Sequence, residues 1–207
     1  MRLYLSSFRI GDHPDRLLAL AGGGRRAAVV ANAMDAAPAD VRAAAVRLEV
    51  DALTALGFDV SEIDLRRPKA PERLATVDVL WVRGGNTFVL RGALADSGAD
   101  ATLVDLVEAE AVVYAGYSAG PCVLAPDIAA LAHVDDVSEV ADPILTGLGL
   151  LDRPFVPHVD SPGHGESALC DEVAATYAAS GQPHWALRDG EVLLVDGPLV
   201  ELLSSSR

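Results

Sequence analysis

One serine in the middle of the chain lies in a pattern typical of a reactive nucleophile. Ser118 is the centre of Gly116-Tyr117-Ser118-Ala119-Gly120, with a buried β-rich segment before the motif and small residues after it. Glycines around a serine between a strand and a helix allow a sharp turn that exposes the hydroxyl at the top of a sheet. A helix beginning near Ala119 would offer free N–H groups to an oxyanion. The context favours a nucleophile over a serine that only fills a turn.

A nucleophilic serine needs a base within hydrogen-bonding reach, and the chain has five histidines. His158 ends the apolar segment 154–159, so it would emerge at the same sheet edge as Ser118. We predict that it is the base, the alternative being a buried core histidine. His164 is the second choice of base or a substrate contact. The remaining histidines have the sequence surroundings of loop residues: His13, His133 and His184.

The acid that would orient the base is left open by the residues alone. Asp160 lies two positions after His158, on the same side of an extended strand. Asp135 and Asp136 fall between the serine and the histidine, and Asp189 precedes a glycine in a late turn. Catalytic triads of one geometry occur in several chain orders, so order does not decide among these carboxylates. A solvated surface carboxylate is the alternative for each.

A second glycine turn, Arg83-Gly84-Gly85-Asn86-Thr87, follows the predicted strand 77–82. It matches neither of the two common phosphate-binding glycine patterns. We expect its backbone amides to complete an oxyanion hole, with Gly85 and Ala119 as the two donors. The sequence contains no HExxH motif and no Cys/His cluster with the spacing of metal ligands. It therefore predicts no metal and no cofactor.

Short β-rich segments alternate with longer Ala/Leu-rich segments, which predicts an α/β fold with a mostly parallel sheet and helices on both faces. On the helix 38–56 we expect Val41, Ala45, Leu48 and Leu53 to face the core. The predicted strands are 2–6, 27–31, 58–63, 77–82, 111–115 and 154–159, with a C-terminal β meander of 185–187, 191–195 and 199–203. The other predicted helices are 14–21, 87–94, 101–110 and 166–179.

Length and composition limit the classes of function. The 207 residues suit a single domain, 1–207, and contain no linker or repeat. The net charge of −14 argues against nucleic acid and anionic membranes as partners. No apolar segment is long enough to span a bilayer and the N-terminus has no signal-peptide pattern, so we expect a cytoplasmic protein. Cys122 and Cys170 are expected to be reduced, buried thiols.

Three motifs together resemble the peptidase E family of serine peptidases: Gly-Gly-Asn-Thr-Phe at 84–88, Gly-Tyr-Ser-Ala-Gly at 116–120, and Pro157-His158. The resemblance implies a fold like class I glutamine amidotransferases, a flavodoxin-like three-layer sandwich. It implies Ser118 as nucleophile and His158 as base. The sequence is also similar to the family in having an acid, Asp189, before a late glycine. Asp135 or Asp136 is similar to a second family acid. An amidotransferase itself would have cysteine in place of Ser118.

The resemblance implies an enzyme that hydrolyses short peptides, as a dipeptidase or exopeptidase, without a cofactor. We assign Arg83, Asn86, Thr87 and His164 to substrate binding. Ala168 stands where the family's aspartyl dipeptidases have an arginine that pairs with the substrate carboxylate, so we expect weak or absent preference for Asp-X peptides. The alternatives are an esterase or other acyl hydrolase, and a non-catalytic binding protein. We expect a monomer or homodimer.

Overall fold

The computed structural model describes residues 1–205 of the chain. Seven strands form one sheet: β1 (Arg2–Ser6), β2 (Arg26–Val30), β3 (Asp59–Glu62), β4 (Val79–Val82), β5 (Val113–Tyr117), β8 (Val192–Asp196) and β9 (Leu199–Leu203). Their order in the sheet is β3-β2-β4-β5-β1-β8-β9. The five strands from β3 to β1 are parallel, and β8 and β9 add an antiparallel hairpin at one side.

The helices cover both faces of the sheet, as the sequence predicts. Alternate residues of each central strand point to opposite sides, so Leu80 and Val82 belong to one apolar core while Val79 and Trp81 belong to the other. This confirms the predicted α/β fold with a mostly parallel sheet. The helices are α1 (Pro14–Leu20), α2 (Ala39–Ala55), α3 (Ala70–Leu74), α4 (Thr87–Ser97), α5 (Ala99–Glu108), α6 (Ala119–Cys122) and α7 (Ser167–Ser180), with three short 3-10 turns between them.

Three details of the strands differ from the prediction. Of the predicted strand 154–159 only Phe155–Val156 is a strand, so His158 lies in the loop that follows it. The strand β5 begins and ends two residues later than expected, because Gly116 and Tyr117 pair with β1 instead of forming the turn. Residues 185–187 do not join a meander with the last two strands. Instead, β7 (Trp185–Ala186) pairs in parallel with β6 (Phe155–Val156) in a separate two-stranded sheet. Only β8 and β9 form the predicted hairpin.

The buried face of α2 also differs from the prediction. Ala45 and Leu53 are buried as expected, whereas Val41 and Leu48 are 47% and 41% exposed. Arg42 and Glu49 are buried instead. Polar partners on neighbouring elements compensate both charges. The spacing of apolar residues along the helix does not reveal such partners.

The ends of three adjacent strands create the floor of the candidate site. The chain leaves β1 at Ser7, β4 at Arg83 and β5 at Ser118, all at the carboxyl edge of the parallel strands. Ligands of open α/β sheets bind at this edge. Across residues 1–205, every helix is too short or too polar to cross a lipid bilayer.

Candidate active site

Ser118 lies between β5 and α6 in a strained backbone conformation, with φ 53° and ψ −115°. Positive φ is uncommon for residues other than glycine, and such strain is concentrated at functional sites. The flanking glycines allow the turn to lie against β4, since a Cβ atom at Gly116 or Gly120 would collide with the carbonyl oxygen of Val82. The predicted nucleophile elbow therefore has the expected strand–turn–helix geometry.

His158 is almost completely buried, with 1% of its surface exposed, and also has a positive φ of 59°. Its Nδ1 lies 2.7 Å from Oδ1 of Asp189. A carboxylate at this nitrogen favours the tautomer with the proton on Nδ1, which leaves a lone pair on Nε2. Among the described residues Nε2 has no hydrogen-bonding partner. The contact with Asp189 thus fixes the orientation and tautomer of the ring, while no hydrogen bond joins its Nε2 to Ser118 within the described residues.

Ser7, at the end of β1, joins the three residues. Its carbonyl oxygen accepts a hydrogen bond from the backbone amide of Ser118 at 3.2 Å. Its hydroxyl accepts one from the backbone amide of His158 at 2.8 Å and donates one to Oδ1 of Asp189 at 2.8 Å. Ser7 is fully buried. Sequence reasoning missed it, since a serine at a strand end carries no motif.

Asp189 precedes the tight turn that leads into β8. Its backbone amide donates to the hydroxyl of Ser161 at 2.8 Å, a second serine that the sequence did not single out. Burial by itself would raise the pKa of the Asp189 carboxyl. Hydrogen bonds from His158 and Ser7, together with the His158 charge, outweigh burial and lower this pKa. The carboxylate is therefore ionised at neutral pH.

His164 stacks on the candidate base. The two imidazole rings are parallel within 3°, and their centroids are 3.6 Å apart. Phe8 contacts both rings edge-on, with its centroid 5.9 Å from that of His158 and 5.2 Å from that of His164. Burial and the neighbouring His158 lower the pKa of His164. A neutral ring in this position can line a substrate cleft without repelling a protonated His158.

The other predicted acids bind different groups. Asp160 pairs with Arg188 at 2.6 Å on the surface, and Asp136 is exposed and accepts from the amide of Ser138 at 2.9 Å. Asp135 accepts from the amide of Thr87 at 2.8 Å. The structure brings Asp189, and none of these three carboxylates, into hydrogen-bonding contact with His158. The correction has a physical cause: the predicted extended segment ends at Val156, and His158 and Asp160 both have positive φ, so the two residues do not share one side of a strand and Asp160 is exposed.

The glycine loop after β4 lies directly against the elbow. A Cβ atom on Gly84 would come within 2.8 Å of Cβ of Ser118, so only glycine permits this approach. Gly85 has a φ of 142°, which favours glycine. Neither the Gly85 nor the Ala119 amide donates a hydrogen bond to another group within residues 1–205. Two unpaired donors therefore remain near the serine, as an oxyanion hole needs.

The three polar residues of this loop are occupied by internal contacts. Asn86 caps α4 through its Oδ1 and donates from Nδ2 to Glu139 at 2.9 Å and to the Asp136 carbonyl at 2.8 Å. Thr87 is buried. Arg83 donates to the Gly84 carbonyl at 2.6 Å and pairs with Glu49 at 3.4 Å. These contacts indicate that the three side chains shape the loop, whereas we predicted that they bind substrate.

Glu49 is a buried acid that the sequence did not reveal. In addition to its ion pair with Arg83, it accepts hydrogen bonds from Trp81 Nε1 at 2.9 Å and from the Tyr117 hydroxyl at 2.7 Å. This network ties α2 to β4 and to the residue before Ser118. Its carboxylate oxygens are thereby compensated, which burial of a charge demands.

The remaining three histidines have polar partners of their own, outside the group formed by Ser118, His158, His164 and Asp189. His133 pairs with Glu172 at 2.6 Å on the surface. The other two donate to backbone carbonyl oxygens: His13 to that of Ser204 at 2.7 Å, and His184 to that of Gln182 at 3.1 Å. Their predicted position outside the site agrees with these contacts.

Ala168 lies exposed near the start of α7, beside a cleft of about 330 Å³ that His164 also lines. The cleft has two carboxylates in its wall, Asp160 and Asp171, and among the described residues that line it there is no Lys or Arg. A substrate carboxylate would gain no cationic partner on this side.

One group of side chains could hold a metal ion. His158, His164 and Glu166 each offer one ligand atom, and these atoms lie within 4.8 Å of one another. The sequence predicted no metal site, because the ligand types are few and their spacing follows no known metal motif.

Residues 16–203 match the sequence model of peptidase family S51. The chain belongs to peptidase family S51. An uncharacterized peptidase of Listeria monocytogenes is 31% identical over 137 residues, which are 63% of this chain and 64% of that protein. An uncharacterized peptidase of Listeria innocua is 28% identical over 162 residues, 75% of each chain. The matched segment thus spans just under two thirds of the first of these relatives.

Two solved structures share the fold of this S51 chain. A putative peptidase E protein from Listeria monocytogenes superposes with a TM-score of 0.80 at 22% identity, covering 99% of this chain and 98% of that one. A peptidase from an acI-B1 Actinobacterium gives a TM-score of 0.67 at 12% identity, covering 100% and 95%. The predicted membership of the peptidase E family is confirmed.

Proposed function

We propose that this S51 peptidase is a serine peptidase that hydrolyses short peptides, as a dipeptidase or exopeptidase, with Ser118 as its nucleophile. The observation that carries the proposal is the 2.7 Å contact between His158 and Asp189, which leaves the buried Nε2 of His158 free. Ser7 contacts the backbone amides of both Ser118 and His158, which supports their acting together.

In this mechanism, Nε2 of His158 accepts the hydroxyl proton as Ser118 attacks the scissile carbonyl. The ionised Asp189 stabilises the imidazolium that forms. The amides of Gly85 and Ala119 bind the oxyanion of the tetrahedral intermediate. His158 then donates its proton to the leaving amine, and a water molecule, activated by the same ring, hydrolyses the acyl-enzyme.

Ser118→Ala tests the nucleophile. We expect loss of peptide hydrolysis by several orders of magnitude with an unchanged circular dichroism spectrum, since removing a triad serine removes covalent catalysis. Ser138→Ala is the matched control, because Ser138 is an exposed serine outside the site. A fluorophosphonate should label the native chain and the control but not Ser118→Ala. Undiminished turnover by Ser118→Ala contradicts the assignment.

The cleft beside Ala168 bears on the substrate. With two carboxylates and no cation in its described lining, it favours neutral or cationic side chains over aspartate. We expect an Asp-X dipeptide to be cleaved no faster than its Leu-X counterpart. A strong preference for Asp-X would contradict this part of the proposal. Faster turnover of p-nitrophenyl esters than of every peptide would favour an esterase instead.

A further inference from the structure

The loop between β6 and α7 brings three potential metal ligands to the rim of the candidate active site. His158, His164 and Glu166 lie within nine consecutive positions, and one ligand atom of each is within 4.8 Å of the other two. His158 is buried, while His164 and Glu166 are partly exposed, and His164 lines the cleft beside Ala168. Two imidazoles and a carboxylate are a ligand set that zinc binds in proteins.

His158 is already arranged as a metal-bound histidine is arranged. Its Nδ1 contacts the carboxylate of Asp189 at 2.7 Å, and its buried Nε2 has no protein partner within residues 1–205. Histidines that bind metals commonly donate the other ring N–H to a carboxylate, which fixes the tautomer and raises ligand basicity. The free lone pair can therefore bind either the proton of Ser118 or a cation.

The cluster must contract to hold an ion. Zinc–nitrogen bonds of about 2.0–2.1 Å in a tetrahedron separate neighbouring ligand atoms by about 3.4 Å. His164 would also have to tilt out of its parallel stack on His158 so that the two lone pairs converge. The loop backbone is unconfined on both sides of His164, since a Cβ atom added at Gly163 or at Gly165 would meet no atom within 4 Å.

Negative charge around the cluster favours a cation. Glu166 and Glu139 are near enough to Asp135 to repel its carboxylate, and Asp189 lies behind His158. An entering divalent ion would relieve that repulsion. Two imidazole ligands select zinc and similar transition ions over magnesium or calcium, which prefer a full set of oxygen ligands.

We propose that His158, His164 and Glu166 form a binding site for Zn²⁺ and related transition ions, and that its occupation reversibly inhibits the enzyme. The bound ion takes the Nε2 lone pair, so His158 cannot accept the Ser118 proton. The inhibitory effect depends on the function proposed above, whereas the binding does not.

The experiment measures binding and activity separately. The purified, chelator-treated chain is titrated with Zn²⁺ by calorimetry, and with Co²⁺ while the visible absorption typical of tetrahedral cobalt is recorded. We expect one ion per chain at micromolar concentration. Ser118→Ala should bind the ion as the native chain does, because the serine is not a ligand. Peptidase activity should fall in parallel with Zn²⁺ occupancy and return when EDTA is added.

Variants locate the ion. We expect His158→Ala and His164→Ala to lose the cobalt absorption, and Glu166→Gln to weaken Zn²⁺ binding by about ten-fold or more, the scale of losing one ligand or its support. His133→Ala is the matched control, since His133 and Glu172 form a His–Glu pair on the surface. It should leave binding unchanged. Circular dichroism verifies the fold of each variant.

The outcomes separate the two proposals. An active enzyme that binds no Zn²⁺ at micromolar concentration overturns the metal site and leaves the proposed function intact. Binding that persists in His164→Ala, or that disappears in His133→Ala, overturns it as well. A chain that hydrolyses no peptide but loses one Zn²⁺ upon replacement of His158 supports the metal site and refutes the proposed function.

Discussion

Asp189 and Asp135 both support groups that adjoin Ser118, yet their carboxyl pKa values shift in opposite directions. Asp189 holds His158 and has a lowered pKa. Asp135 holds the amide of Thr87, beside the glycine loop, and its pKa is raised to about 6. Both are partly buried. The direction of each pKa shift therefore depends on how far the hydrogen bonds and charges around the carboxyl offset its burial, which raises both pKa values.

The partners of Asp189 can compensate a negative charge and those of Asp135 cannot. Burial raises the pKa of both. For Asp189, a ring that becomes a cation and a serine hydroxyl overcome that effect. For Asp135, the contacts with neutral Thr87 are too weak, and the charges of Glu166 and Glu139 add to burial. Only Asp189 is therefore suited to stabilising an imidazolium during turnover.

Asp189→Asn should give the largest effect. We expect kcat/KM to fall by about three to four orders of magnitude, because an amide can donate to Nδ1 and stabilise the wrong tautomer of His158. Steady-state kinetics with a dipeptide measures it. Asp136→Asn is the matched control, because Asp136 is exposed and its side chain accepts a hydrogen bond only from its own turn. Activity of Asp189→Asn within ten-fold of the native enzyme would show that Asp189 does not orient the base.

Asp135→Asn should change the pH dependence of stability. The folded pKa of Asp135, about 6, exceeds the ordinary value of 3.8, so the folded state binds more protons between these pH values. The native chain therefore loses stability as pH rises through this window, whereas Asn does not titrate. Relative to the native chain, we expect the variant to gain about 3 kcal/mol in free energy of unfolding from pH 3.5 to pH 7.5.

Urea unfolding at the two pH values measures this gain. Asp136→Asn is again the control. Contacts with Ser138 lower the pKa of Asp136, so this variant should lose stability relative to the native chain as the pH rises. A stability difference between Asp135→Asn and the native chain that is the same at both pH values would remove the contrast between the two aspartates.

Much of the fold could be predicted from the sequence because short-range signals specify it. The alternation of β-rich and Ala/Leu-rich segments gave the parallel sheet, and the glycines around Ser118 and Gly85 located the two turns at its carboxyl edge. The Asp189 position followed from a family resemblance and not from chemistry. The residues alone left four aspartates open, because nothing local shows which carboxylate returns to His158.

The remainder depends on contacts distant in sequence. Ser7 lies 151 positions from His158, and its hydroxyl contacts His158 only in the folded sheet, where β1 lies beside β5. Glu49 looks like an exposed helix residue until Trp81, Tyr117 and Arg83 surround it. The stacking of His164 on His158 likewise requires the folded loop. Such polar networks have no periodicity that a pattern could show.

Ser7→Ala sharpens the comparison with the smallest expected effect. It removes the hydroxyl that donates to Asp189 and accepts from the His158 amide, so we expect kcat to fall by about ten-fold with little change in KM. Ser6→Ala is the matched control: this neighbour is equally buried, but its hydroxyl donates only to the carbonyl oxygens of Arg9 and Gly116.

A positioning role for Ser7 also predicts a spectroscopic change. The NMR signal of the His158 Nδ1 proton, which reports its hydrogen bond to Asp189, should move in Ser7→Ala and stay in place in Ser6→Ala. If both variants lose activity equally and neither moves this signal, then Ser7 stabilises only the fold of β1. In that case the low pKa of Asp189 must come chiefly from His158, with a smaller effect of His164, and the contrast with Asp135 reduces to the imidazoles near Asp189.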